Sequence, residues 1–91
     1  MRLDNYISDL GIVKRRTVAK ELADGGHVKV NDQRAKPAHK VKVGDIIEIT
    51  GKAHIRLRVL KIPSGRSVPK PARPEYFEIL HRASASAEFE I

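Results

Sequence analysis

Lys14-Arg15-Arg16-Thr17-Val18-Ala19-Lys20-Glu21-Leu22-Ala23-Asp24, followed by Gly25-Gly26-His27-Val28-Lys29-Val30-Asn31-Asp32, is the stretch whose reading decides the fold. Its apolar residues change period half-way. Val18, Ala19, Leu22 and Ala23 mark one face of a helix over residues 14–24, because residues three and four apart share a helical face. Gly25-Gly26 ends that helix. Val28 and Val30 then alternate with His27 and Lys29, the pattern of a half-buried strand. Asn31-Asp32 makes a tight turn, since both residue types accept positive φ. The returning strand runs through Gln33–Lys36 until Pro37, which has no N–H to donate.

The same reading extends in both directions. Leu3, Ile7 and Leu10, with Tyr6 beside them, predict a short amphipathic helix over 2–10 that stops at Gly11. Val43-Gly44-Asp45 is a turn into a strand, Ile46–Thr50. Ile55, Leu57, Val59 and Lys61 alternate with Arg56, Arg58, Leu60 and Ile62, so 54–62 is one more strand with its arginines on a common face. Residues 63–74 hold four of the five prolines and predict an extended or mobile loop. Residues 75–81 suit either a strand or a helical turn, with Tyr76, Phe77, Ile79 and Leu80 packing back on the sheet. The expected division is a domain over 1–62, a Pro-rich basic loop over 63–74, an element over 75–83 that packs back, and a flexible tail over 84–91. The fold class is α+β: two short N-terminal helices on a small, mostly antiparallel sheet.

Composition narrows the partner. A chain of 91 residues has room for one small domain with a thin core. Lys and Arg number 18 against 11 acidic residues, a net charge of +7 with a pI near 10.1. That sign favours nucleic acid or an anionic membrane over an acidic small molecule. The charge is uneven: residues 51–74 hold seven basic side chains and no acid, while 75–91 hold one basic and four acidic. The middle stretch is the expected electrostatic footprint. Cysteine is absent, which removes disulfides and thiolate chemistry and fits a reducing cytosol. No apolar run approaches the roughly 20 residues of a membrane span, and a cytoplasmic protein is expected.

In order, the chain shows Arg2-Leu3-Asp4, Arg15-Arg16-Thr17 at a helix start, Ala19-x-x-Leu22, Gly26-x-Val28-x-Val30-Asn31, Ala35-Lys36-Pro37 and Val41-x-x-Gly44-Asp45. This order resembles the αL RNA-binding domain of ribosomal small-subunit protein four, also found in pseudouridine synthases and tyrosyl-tRNA synthetases. The likeness covers about residues 1–50. Lys14 to Glu21 and Ala35-Lys36-Pro37 are similar to the small stand-alone bacterial members, which include the fifteen-kilodalton heat-shock protein. The short acidic C-terminus and the Tyr76–Leu80 segment look more like the RqcP family of ribosome-associated quality control factors. Asp32 departs from the glycine usual in relatives. Lys14-Arg15 stand where relatives carry a Ser or Thr, so the cap of the second helix is left open.

The resemblance implies a role in rescue and quality control of stalled nascent chains. A protein of this kind would contact large-subunit rRNA and peptidyl-tRNA on the large ribosomal subunit, beside a factor that tails the nascent chain. A monomer is expected, since a protein on a large ribonucleoprotein needs no self-association. It also implies that Arg2 and Arg16 occupy basic positions of the RNA-binding motif. The residues support such a surface independently. Helix N-termini present amides without partners that attract phosphate, and guanidinium groups add two-point contacts. Arg2, Lys14, Arg15, Arg16, Thr17 and Lys20 lie at or near the two helix starts. The plainer alternatives, a solvated terminal charge for Arg2 and an ion pair with Asp4 or Asp9 for Arg16, are weaker than phosphate contact. Asp4 is expected to organise the arginines, because a carboxylate repels phosphate. His27, Lys29 and Lys36 flank this patch from the hairpin. Arg56, Arg58, Lys61, Arg66, Lys70 and Arg73 form a broader secondary patch of phosphate contacts. With two Phe and two Tyr in the chain, shape recognition of folded RNA is a better expectation than a stacking platform for single strands.

Catalysis has little to rest on. His27, His39, His54 and His81 are dispersed, so no metal site or metal cofactor is expected. Gly51-Lys52 lacks the earlier glycine of a phosphate-binding loop. Two other readings stay open. One is an accessory in rRNA assembly or tRNA handling, and the other a protein-interaction module that uses the Pro-rich 63–74 loop.

Overall fold

The alternation of valine and isoleucine builds one buried face, and everything else is arranged around it. The computed structural model describes residues 1–51, 54–63 and 68–83. Two helices, α1 (Leu3–Asp9) and α2 (Arg16–Asp24), precede strands β1 (Val28–Val30), β2 (Gln33–Arg34), β3 (Ile46–Thr50) and β4 (His54–Val59). A 3-10 helix (Lys70–Glu75) and strand β5 (Phe77–Ala83) follow. The strands form one sheet in the order β2-β1-β3-β4-β5, and every pairing is antiparallel. The α+β expectation holds.

Register decides which residues meet. Val28 pairs with Ile49 and Ile49 with Ile55, while Val30 pairs with Ile47 and Ile47 with Leu57. These rows sit on one face, where Leu3, Tyr6 and Ile7 of α1 and Ala19, Leu22 and Ala23 of α2 join them in a single buried cluster. Burying each large aliphatic side chain contributes about 1.5–3 kcal/mol, so this face holds the domain together. The opposite face of the sheet has no helix over it among the described residues.

The hairpin turn follows the sequence reading: Asn31 and Asp32 have φ of 52° and 69°. Asn31 also anchors the neighbouring turn, donating from Nδ2 to Asp45 Oδ1 (3.1 Å) and accepting from the Ile46 amide (3.0 Å). The elements are shorter than expected, however. The second helix starts at Arg16, because Arg15 is extended (φ −120°, ψ 136°). β2 keeps only Gln33–Arg34. β4 stops at Val59, since the Leu60 and Lys61 amides turn away and both donate to the Tyr76 carbonyl.

The C-terminal third departs further. Part of the expected 63–74 loop is the 3-10 helix, which Pro69 and Pro71 suit because proline already holds the φ that its first residues need. Residues 75–81 resolve into the strand option, as β5. Tyr76 and Phe77 pack against the core as expected, but Ile79 and Leu80 are 37% and 41% exposed. The register shifts between Arg56 and Leu57, which pair with His81 and Ile79, leaving Leu80 as the extra residue of a bulge. β5 is moreover the outer strand of the sheet, and no further strand among the described residues pairs beyond it. The expected flexible tail over 84–91, and Arg66, lie outside the described residues.

One residue stitches the ends together. The Tyr6 hydroxyl, buried within α1, donates to the Tyr76 carbonyl (2.9 Å), and burial pushes its ionisation upward.

Candidate nucleic-acid interface

The first basic surface is made by the helix starts. Arg2 grips Asp4 at two points, Nε to Oδ1 (3.1 Å) and Nη2 to Oδ2 (3.2 Å). The Asp4 side chain is 3% exposed and that of Arg2 48%. A buried carboxylate therefore holds a half-exposed guanidinium in place, the organising role expected for Asp4. It leaves Arg16 without that partner: no ion pair joins Arg16 to Asp4 or Asp9. Among the described residues, Arg15, Arg16 and Lys20 are exposed and form no ion pairs. Arg16 and Lys20, one turn apart, share a face of α2. No side chain caps α2, which leaves the amides of its first turn without a side-chain partner beside Lys14 and Thr17, both exposed.

The N-terminus adds a contribution that sequence reasoning missed. The Leu3 amide donates to the His39 carbonyl and the Val41 amide to the Met1 carbonyl, each at 2.8 Å. This pairs Arg2 with Lys40 in an antiparallel bridge, so their side chains leave on the same side. Lys40 could have been suspected from the density of Lys36, Lys40 and Lys42 in one short stretch. Its partner could not, since the pairing joins residues 38 apart in the chain.

The second basic surface is the sheet face that no described helix covers, and Arg56 and Arg58 on it sit in ion pairs. Lys29 lies opposite Glu48, and Glu48 opposite Arg56. Arg56 approaches Asp32 (Nη2 to Oδ1, 3.8 Å), and Arg58 meets Glu78 (3.1 Å). Glu48 accepts from His54 Nε2 (2.7 Å). That hydrogen bond, with the nearby charges of His54, Lys29 and Arg56, holds the Glu48 carboxyl below its ordinary range against the opposing effect of burial.

The structure therefore divides the expected site. Lys29, Arg56 and Arg58 sit on the sheet face away from the helices, so Lys29 does not flank the helix-start patch. His27 and Lys36 are exposed at the hairpin, with the His27 ring against Gly25. The secondary patch is also reduced. Arg73 donates from Nε to the Val68 carbonyl (2.9 Å), and its guanidinium lies over Gly11, where an added Cβ would be 2.5 Å from Nη1. Arg73 is a structural clamp between the 3-10 helix and the end of α1. Lys61 stands over the Tyr76 ring, 5.9 Å from its centre. Among the described residues no cluster of three His, Cys, Asp or Glu could hold a metal, and no helix is long and apolar enough to cross a membrane.

Comparison with known proteins gives the family and the fold. Residues 1–47 match the S4 domain family model. The chain belongs to the S4-domain family. Within it, the chain is 48% identical over 63 residues to the RQC P-site tRNA stabilizing factor of Streptococcus pneumoniae, covering 68% of this chain and 72% of that one. The protein of the same name from Helicobacter pylori J99 is 37% identical over 77% of this chain and 84% of its own. Among solved structures, Vibrio cholerae Heat Shock Protein 15, described as trimeric, superposes with a TM-score of 0.79 at 29% identity, covering 87% of this chain and 80% of that one. The likeness carried by Arg2-Leu3-Asp4, the basic helix start and the Val28–Asn31 hairpin is thus to the family that the S4 domain model defines.

Proposed function

We propose that this S4-domain protein binds rRNA of the large ribosomal subunit together with peptidyl-tRNA and serves the rescue of stalled nascent chains. Two supports combine. Relatives that align over most of their length carry the name P-site tRNA stabilizing factor, and the helix-start surface keeps its guanidinium groups available. The observation that carries the reading is the pair of Arg16, exposed and without an ion pair among the described residues, and Arg2, held in place by buried Asp4.

In this reading Arg2, Arg15, Arg16 and Lys20, with Lys14, Thr17, Lys36 and Lys40 around them, contact phosphates of folded RNA. His27 borders the same surface, and Lys29, Arg56 and Arg58 contribute a weaker field from the sheet. The protein acts by holding tRNA in place and has no catalytic step. It works in the cytoplasm as a monomer on the ribosome, beside a factor that extends the nascent chain.

Binding to purified large subunits with and without peptidyl-tRNA, followed by crosslinking and sequencing of the RNA, tests the reading. Crosslinks on large-subunit rRNA and tRNA, with affinity falling steeply between about 50 and 200 mM salt, are expected. Crosslinks confined to precursor rRNA would move the function to assembly, and affinity indifferent to salt would remove RNA as the partner.

A further inference from the structure

A depression of about 160 Å³ opens where α2 ends, lined by Ala23, Asp24, Gly25, Gly26, Arg34 and Lys36 among others. By volume it holds about five water molecules, too little for a base pair and enough for one planar base. Its floor is backbone. Gly26 has φ +80°, and a Cβ there would lie 3.5, 3.6 and 3.7 Å from Nε, Cδ and Cζ of Arg34. Those near-equal distances lay the Arg34 side chain broadside over the glycine. Among the described residues the side chains of Asp24, Arg34 and Lys36 form no hydrogen bond or ion pair, and all three are exposed.

The polarity of this pocket separates it from the helix-start surface. It sits at the C-terminal end of α2, where outward carbonyls make the negative pole of the helix, and Asp24 adds a carboxylate. Both oppose a phosphate in the pocket and favour a ligand with hydrogen-bond donors on one edge. Arg34 offers a flat guanidinium for stacking. Lys36 supplies a cation at the rim.

We propose that this pocket receives a single unpaired guanine of the bound RNA. The base stacks on Arg34 above Gly25-Gly26, its N1–H and N2–H donate to Asp24, and the adjoining phosphate meets Lys36. Guanine is singled out because it presents two neighbouring donors to one carboxylate. Adenine and cytosine offer a single amino group, and uracil a single imino N–H. The inference rests on the RNA-binding reading above and adds base selectivity to a surface otherwise expected to read only shape.

The test uses the full chain and four stem-loop RNAs that differ in one bulged nucleotide: guanosine, inosine, adenosine or uridine. Affinity is measured by fluorescence anisotropy across a salt series, with Asp24→Asn, Arg34→Lys and Arg16→Ala beside the wild type. Circular dichroism confirms that each variant folds. The wild type should bind the bulged guanosine roughly ten-fold tighter than the uridine, with inosine, which lacks the second donor, between them. Asp24→Asn and Arg34→Lys should each erase that preference, and Arg34→Lys should leave the salt dependence unchanged because the charge remains. Arg16→Ala should weaken all four RNAs alike and lower the salt slope by about one. Equal binding of all four bulges by the wild type, or full preference in Arg34→Lys, overturns the pocket while leaving RNA binding intact. Failure of every stem-loop to bind in a salt-dependent way overturns the RNA-binding reading and the pocket with it.

Discussion

The helix starts and the uncovered sheet face both display arginines, yet they are electrostatically different surfaces. At the helix starts a single acid, Asp4, is buried beneath Arg2 and turned away from solvent. On the sheet Asp32, Glu48 and Glu78 stand among Lys29, Arg56 and Arg58 at the surface. An approaching phosphate meets available donors on the first and must compete with carboxylates on the second. Exposed pairs of this kind add little to stability, about 0–1 kcal/mol, so their consequence here lies in the field they cancel. Counting cations along the chain cannot reveal this. Position relative to acids on neighbouring strands decides it.

The sharpest way to break the comparison is to delete both kinds of cation. Arg2→Ala with Arg16→Ala should weaken binding to large subunits several-fold for each change and lower the salt slope by about two. Arg56→Ala with Arg58→Ala should change affinity two-fold or less. Equal losses in a filter-binding titration would erase the distinction between the faces. Next in size, Asp4→Asn should reduce affinity about as much as Arg2→Ala, because the guanidinium loses its buried anchor. It should also reduce folding stability by about 1–3 kcal/mol in urea. A stable variant that binds normally would show that Asp4 does not position Arg2.

Smaller effects sharpen the picture. Glu78→Gln frees Arg58 and should raise affinity for non-specific RNA by a few-fold, read in the same titration; no change would mean that the pair does not screen the face. Tyr6→Phe removes one hydrogen bond to the Tyr76 carbonyl. Since the Leu60 and Lys61 amides still donate to that oxygen, the loss should be about 1 kcal/mol or less by denaturant unfolding. The smallest effect concerns Glu48. Its carboxyl titrates below the ordinary 4.5 in the folded state, so its stabilisation is present above that pH and is lost as pH falls through the folded titration. His54→Gln should move the Glu48 titration, followed by NMR, back toward 4.5. The stability difference from the wild type should be present at neutral pH and vanish in acid.

Much of the fold is legible because its determinants are local. The change of period between Leu22 and Val28 marks helix and strand. Gly11, Asn31, Asp32 and Gly44, all with positive φ, sit where the turn chemistry puts them. Arg2 and Arg16 stand out because helix starts and the motif order can both be read from neighbours in the chain. Other features were hidden for definite reasons. The 3-10 helix over 70–75 arises from proline geometry that a loop would share. Arg73 reads as a surface cation, yet docks on Gly11 across 62 positions of sequence. Ile79 and Leu80 read as core, and a one-residue shift at the edge of the sheet leaves them exposed.

The sequence by itself determined the elements, the buried faces and the RNA-binding family, since periodicity, turn residues and motif spacing act over a few neighbouring positions. The tertiary structure alone decided which cations keep their charge available. Pairing of Arg56 with Asp32 and of Arg58 with Glu78, and the approach of Lys40 to Arg2, depend on register and on contacts between segments. Coulomb interactions act through space at a few ångströms, and it is the fold that sets those distances.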